Sequence, residues 1–141
     1  MDSSFSNEYI ATWIHVPIPR RGEERARNFY EKDLGFKRSY SEFWVAEDGL
    51  VRLQLKFVEH VEQINALQPS SLCSIFLKGD FLSLCERWVH QGVSIELLQL
   101  DPGGFTAVVL DPFLNRLEFR GDEESSDFSI DTGQWSFFRR A

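Results

Sequence analysis

The sequence predicts an α+β fold of two tandem βαβββ modules, on three observations. Each half of the chain reads as one strand, one helix and three further strands. The first strands and helices match in length, since His15 stands 20 residues before Gly35 and Cys73 stands 19 before Gly92. The closing strand is written twice, as Arg52-Leu53-Gln54-Leu55-Lys56 and as Arg116-Leu117-Glu118-Phe119-Arg120, each after an Asp-containing turn. An internal repeat about 50 residues long marks duplicated supersecondary units. The expected boundaries are a tail over 1–9, a first module over 10–58, a linker over 59–70, a second module over 71–121 and an acidic, then aromatic tail over 122–141.

The elements follow in order. "ATWIHVPIP" alternates and is rich in Trp, Ile and Val, so it reads as a strand, with Pro17 and Pro19 favouring an edge or an early exit. In "GEERARNFYEKDLGF", Ala26, Phe29, Tyr30 and Leu34 fall at helical spacing, Glu23 and Glu24 suit a first turn, and Gly35 suits a left-handed cap, which predicts a helix over about 23–34. "FKRSYSEFWVAEDGLVRLQLKFV" holds three strand-like runs, the last two divided by an Asp48-Gly49 turn. The polar "EHVEQINALQPSS" reads as a connector with room for one helical turn. In the second half "LCSIFLKGD" is a strand, and Asp80 N-caps the helix "FLSLCERWVHQ", which carries Phe81, Leu84, Cys85 and Trp88 on one stripe before Gly92. "VSIELLQL", "FTAVVL" and "NRLEFR" complete the set, separated by Pro102-Gly103-Gly104 and Asp111-Pro112 turns.

The composition fits this reading. A chain of 141 residues is one domain long and buries roughly two thirds of its unfolded surface. The apolar share of 43% and the 13 Phe set it apart from disordered chains. A net charge of -7 repels phosphate backbones and anionic lipid, which argues against nucleic acid and membrane surfaces as partners. The acidic start and the absence of any run of about 18 apolar residues predict neither a signal peptide nor a membrane span. A soluble, cytoplasmic protein is expected, and two cysteines suit a compartment that keeps thiols reduced.

Alternation gives the duplicated strand a chemistry. Arg52, Gln54 and Lys56 share one face and Leu53 and Leu55 the other, and Arg116, Glu118 and Arg120 are segregated likewise. With the apolar faces against the helices, a polar wall is left for a site. A pseudo-twofold axis sets His15 opposite Cys73 and Gln54 opposite Glu118, and imidazole, carboxylate, amide and thiolate are all ligand types for divalent metals. Arg52, Arg116 and Arg120 are candidate anchors for an anionic substrate, and Trp13 and Phe105 are candidate walls of an apolar cleft. No phosphate-cradling loop, dinucleotide fingerprint, nucleophile elbow or CxxC pair accompanies them.

At these residues a resemblance enters. "IHVPIPRRGEERARNFYEKDLGF" resembles the opening of a vicinal oxygen chelate (glyoxalase/bleomycin resistance/dioxygenase) domain, and "LDPFLNRLEF" is similar to that family's closing "DP.GNRLEF". The resemblance covers about residues 10–121. It implies a cupped mixed sheet around a divalent metal, zinc, nickel, iron or manganese, with His15, Gln54 and Glu118 as ligands. Glu118 is also the implied proton shuttle and catalytic residue. Cys73 stands where metal-binding members usually carry His, and some relatives have lost the metal and bind or sequester a small molecule. The leading expectation is a metal-dependent lyase or isomerase of the glyoxalase type, ahead of dioxygenase chemistry. The competing one is a metal-free small-molecule or antibiotic-binding protein. Dimerisation as a homodimer is implied by the resemblance alone.

Overall fold

The computed structural model describes residues 7, 12–39, 42–44, 51–67 and 70–140. The Asp48-Gly49 turn, Pro69 and the tail 1–9 apart from Asn7 lie outside the described residues. The first module contains β1 (Thr12–Ile18), α1 (Glu23–Arg27) running on into a π-helical turn (Asn28–Asp33), β2 (Lys37–Ser39), β3 (Glu42–Trp44) and β4 (Val51–Phe57). The linker contains α2 (Val61–Leu67), longer than the single turn expected. The second module contains β5 (Ser71–Leu77), α3 (Phe81–His90), β6 (Ser94–Asp101), β7 (Gly104–Leu110) and β8 (Arg116–Gly121), and the tail adds β9 (Phe138–Arg140).

The strands form two sheets, ordered β1-β4-β3-β2 and β5-β8-β7-β6-β9, and β1 runs beside β5 where the modules meet. In each module the first and last strands are parallel neighbours, β1 with β4 and β5 with β8, while the hairpin-related strands are antiparallel. This is the predicted mixed α+β architecture, an open curved sheet with α1 and α3 packed on one face. Among the described residues no helix is long and apolar enough to cross a membrane.

The helices cover one face because their apolar stripes have a matching strand face to bury. Val16, Ile18, Phe43, Leu53, Leu117 and Phe119 alternate onto that face and join Ala26, Phe29, Tyr30, Leu82, Cys85 and Trp88 in one continuous core. Trp88 meets Phe119 at 4.9 Å between ring centroids, and Phe119 also meets Phe36 of the other module at 6.5 Å. Helix α3 starts where Asp80 accepts from Ser83 N at 3.1 Å and ends before Gly92 at φ 81°, as its sequence requires.

A buried polar network welds the modules. Asp111 Oδ1 accepts from Phe113 N at 2.8 Å and Asn115 N at 2.9 Å, and its Oδ2 accepts from Tyr30 Oη at 2.8 Å and Asn115 Nδ2 at 2.7 Å. Asn115 Nδ2 also donates to Pro17 O on β1 at 2.8 Å. Asn65 Nδ2 on α2 donates to Asn115 Oδ1 at 2.8 Å and Phe113 O at 2.9 Å. Burial pushes the Asp111 carboxyl above its ordinary range, against the donors that pull it down, and holds the Tyr30 phenol neutral as a donor. One loop of the second module thereby fixes a strand and a helix of the first, and a helix of the linker.

The tail is bonded to the second module. Asp127 N donates to Asp80 Oδ1 at 2.9 Å, Phe81 N donates to Ser126 Oγ at 3.2 Å, and Phe128 lies 5.9 Å from Phe105. The aromatic end of the tail packs on its own domain: Trp135 is buried and stacked on Phe137, and Phe138 pairs in parallel with Leu98. The outer edge of β6 is thereby covered, which removes a template for edge-to-edge pairing.

Gly104 shows how tightly β7 and β8 are drawn. Its φ is +116° and an added Cβ would meet Gly121 O at 2.5 Å. Gly104→Ala is therefore expected to cost roughly 2 kcal/mol, because strained φ and a backbone clash add. Urea unfolding of the variant reads this as a lower midpoint at unchanged slope.

Candidate functional site

The face opposite α1 and α3, which α2 reaches among the described residues only at Arg116, whose Nη1 donates to Asn65 O at 3.4 Å, is built by alternation. Beside the core residues of β1, Trp13, His15 and Pro17 point the other way, and in parallel register they stand next to Arg52, Gln54 and Lys56 of β4. On β8, Arg116, Glu118 and Arg120 share that face, next to Leu110, Val108 and Thr106 of β7. His15 and Gln54 are register partners, so the first module brings these two expected donors side by side, and Glu118 stands at the equivalent place in the second.

The register of β5 revises the superposition made on sequence spacing. A shift between Ser71 and Ser74 inserts an extra residue, so Ser74, not Cys73, is the partner of Glu118. The equivalent of His15 is therefore a serine. Cys73 packs against the hydrophobic core, and burial, followed by the Glu118 charge, pushes its thiol up to about 11. Its stabilising share is complete below the thiol's ordinary value and is lost as pH rises through about 11. At pH 8 a two-unit rise lowers the thiolate fraction about a hundredfold. Cys73 is expected to react with a disulfide reagent far more slowly than a free cysteine, with Cys85, raised to about 12, slower still. Both should titrate at once in denaturant.

The donor set does not suit a tightly held metal. Among the described residues no three His, Cys, Asp or Glu side chains are gathered as a metal group. The wall offers one imidazole, one carboxylate and the weaker amide of Gln54, with a hydroxyl where a fourth strong donor would stand.

What the wall does offer is aromatic and cationic surface. Trp13 is 53% exposed and Phe76, the register partner of Arg120 on β5, is 74% exposed. The Arg120 guanidinium lies 5.8 Å from the Phe76 ring centroid, and its Nε is buried with no partner among the described residues. Arg116 is committed to Glu96 through a two-pronged pair at 2.9 and 2.8 Å, which holds the Glu96 carboxylate below its usual range. Arg52 stands beside Trp13. Phe105, expected to line an apolar cleft, instead faces the helices: it is 1% exposed and stacks on Phe81 at 5.6 Å.

Sequence reasoning missed Ser74 and Phe76. A strict period of two places Cys73 on the polar face. The signal that the period breaks was "SIFLK", where three apolar residues in a row cannot all face one core.

No family model and no curated protein matches the sequence. Solved structures do match the fold. UcmS2 superposes with a TM-score of 0.68 at 17% identity over 78% of this chain and 96% of that one. A putative glyoxalase family protein from Bacillus anthracis gives 0.58 at 18% identity over 80% and 94%. The bleomycin-binding protein of bleomycin-producing Streptomyces verticillus, solved with copper(II)-bleomycin, gives 0.56 at 19% identity over 83% and 99%. At these identities the likeness is one of architecture, and it shows that this chain has the glyoxalase/bleomycin-resistance-like fold.

Proposed function

We propose that the polar wall binds a planar aromatic small molecule without a metal. The observation that carries this reading is the exposure of the Trp13 and Phe76 rings on the same face as the Arg52 and Arg120 side chains. A π-system stacks on such rings, and a guanidinium gives an anionic group on the ligand a partner. Val108 and Leu110 add apolar contact, and His15, Gln54 and Glu118 supply polar groups that orient the guest. The bleomycin-binding structure lends this reading support, since a protein of the same fold holds an antibiotic. The homodimer that the resemblance implies is tested by sedimentation equilibrium.

Titration with anthraquinone-2-sulfonate followed by amide chemical shifts tests the proposal. Saturable shifts are expected on β1, β4, β5 and β8. Shifts that never saturate, or that map to the helices, would overturn it.

The second reading, a metal-dependent lyase or isomerase, is favoured by the register pairing of His15 with Gln54 and by Glu118 at the matching place. It requires those three residues to suffice as ligands. It predicts metal in whole-number proportion to protein, lost in His15→Ala and in Glu118→Ala.

A further inference from the structure

Where β1 and β4 leave the sheet, their exits lie together, tied by Val58 N donating to Ile18 O at 2.9 Å. Between them is a cleft of about 470 Å³ lined by Pro19, Arg20, Phe57, Val58, Glu59 and His60, within the usual range for small-ligand sites of ~300–1,000 Å³. Three features separate it from an accidental groove. Among the described residues, the non-glycine residues with left-handed φ are Arg21 at 67°, His60 at 59° and Leu114 at 66°, and two of these belong to the loops that flank the cleft. Such conformations cost free energy, and they concentrate where a loop is held for a purpose. Phe57 is 54% exposed, a large aromatic ring left to water at the cleft wall. Arg20 and His60 line the same space as exposed side chains, with no side-chain hydrogen bond or ion pair among the described residues.

In the other module the tail crosses the matching corner, beside a smaller cleft of about 260 Å³ at the exit of β5. It comes from β8, with Asp127 N and Ser126 Oγ bonded to Asp80 and Phe81. In the first module the chain turns away into α2, and the corner stays open.

We infer that this corner is a second binding site, for a small aromatic monocarboxylate. The Arg20 guanidinium pairs with the carboxylate through two parallel N–H donors, His60 supplies a further donor, and the ring lies against Phe57 and Pro19. Glu59 on the same rim repels a second negative charge, so the site selects one carboxylate over two.

Benzoate is the probe, titrated into the full chain while amide shifts are recorded. The expected result is saturable shifts confined to residues 20–22 and 57–60, with a dissociation constant on the order of millimolar, as suits so small a ligand. Benzamide and phthalate should each bind roughly fivefold or more weakly. Arg20→Gln and Phe57→Ser should each weaken benzoate by a similar factor, while Phe76→Ser on the polar wall leaves it unchanged. All three sites are exposed or at the cleft surface, so the variants should fold, which their amide spectra verify. The proposal is overturned if benzoate shifts do not saturate, if they map to the polar wall, or if Arg20→Gln and Phe57→Ser bind like the unaltered protein.

Discussion

Asp111→Ala is expected to destabilise the protein by roughly 3–5 kcal/mol, because it strands several buried donors at once. Tyr30 Oη, Phe113 N, Asn115 N and Asn115 Nδ2 all lose their acceptor. Asn115 then loses its orientation, and with it the bonds to Pro17 O and from Asn65. Against a total stability of about 5–15 kcal/mol for a domain, the loss is severe. Asp111→Asn should fall between the unaltered protein and Asp111→Ala, since an amide keeps one acceptor and sets an N–H₂ against two donors. Chemical unfolding followed by tryptophan fluorescence measures both. The pattern expected beyond the size of the loss is coupling: Asp111→Ala and Tyr30→Phe should cost much less together than the sum of their separate effects. Simple additivity would mean that the loop does not join the modules in the manner described.

That network also shows what the sequence made legible. The order and faces of the duplicated strands followed from alternation and spacing, and so did the helix stripes of Ala26, Phe29 and Tyr30 and of Phe81, Cys85 and Trp88, because burial imposes those periods locally. Asp111 and Asn115 read only as turn residues and the start of a strand. Their partners Tyr30, Pro17 and Asn65 are 81, 98 and 50 positions away along the bonds, and no local pattern announces a contact at that range. Register failed for a related reason. A one-residue bulge turns every side chain over, so Cys73 looked like the partner of His15 until the pairing of Ser74 with Glu118 was fixed. Phe105 was misplaced because aromatic character is the same on either face of a strand, and only the stacking on Phe81 says which face it takes. The polar wall itself, with His15, Gln54, Arg116 and Glu118, was read from alternation together with the pseudo-twofold repeat.

Phe76→Ser is expected to weaken binding of a planar aromatic ligand roughly tenfold, about 1.4 kcal/mol, while leaving stability within ~0.5 kcal/mol. The separation follows from exposure. A ring that is 74% exposed contributes little to the core, yet it offers a whole face to a guest. Arg120 sharpens the expectation, because its guanidinium rests over that ring and would lose its seat. Arg120→Lys should therefore cost part of the same affinity, since a compact ammonium lacks the planar stack. Comparable losses in melting temperature and in affinity would instead make Phe76 a structural residue.

The most direct test of the central claim is the affinity for anthraquinone-2-sulfonate before and after chelator dialysis, with elemental analysis of the same samples prepared without a polyhistidine tag. Metal-independent binding on the polar wall predicts one dissociation constant in both samples and only trace metal in either. Metal in whole-number proportion to protein, with affinity lost on dialysis and restored on adding the ion back, would contradict it.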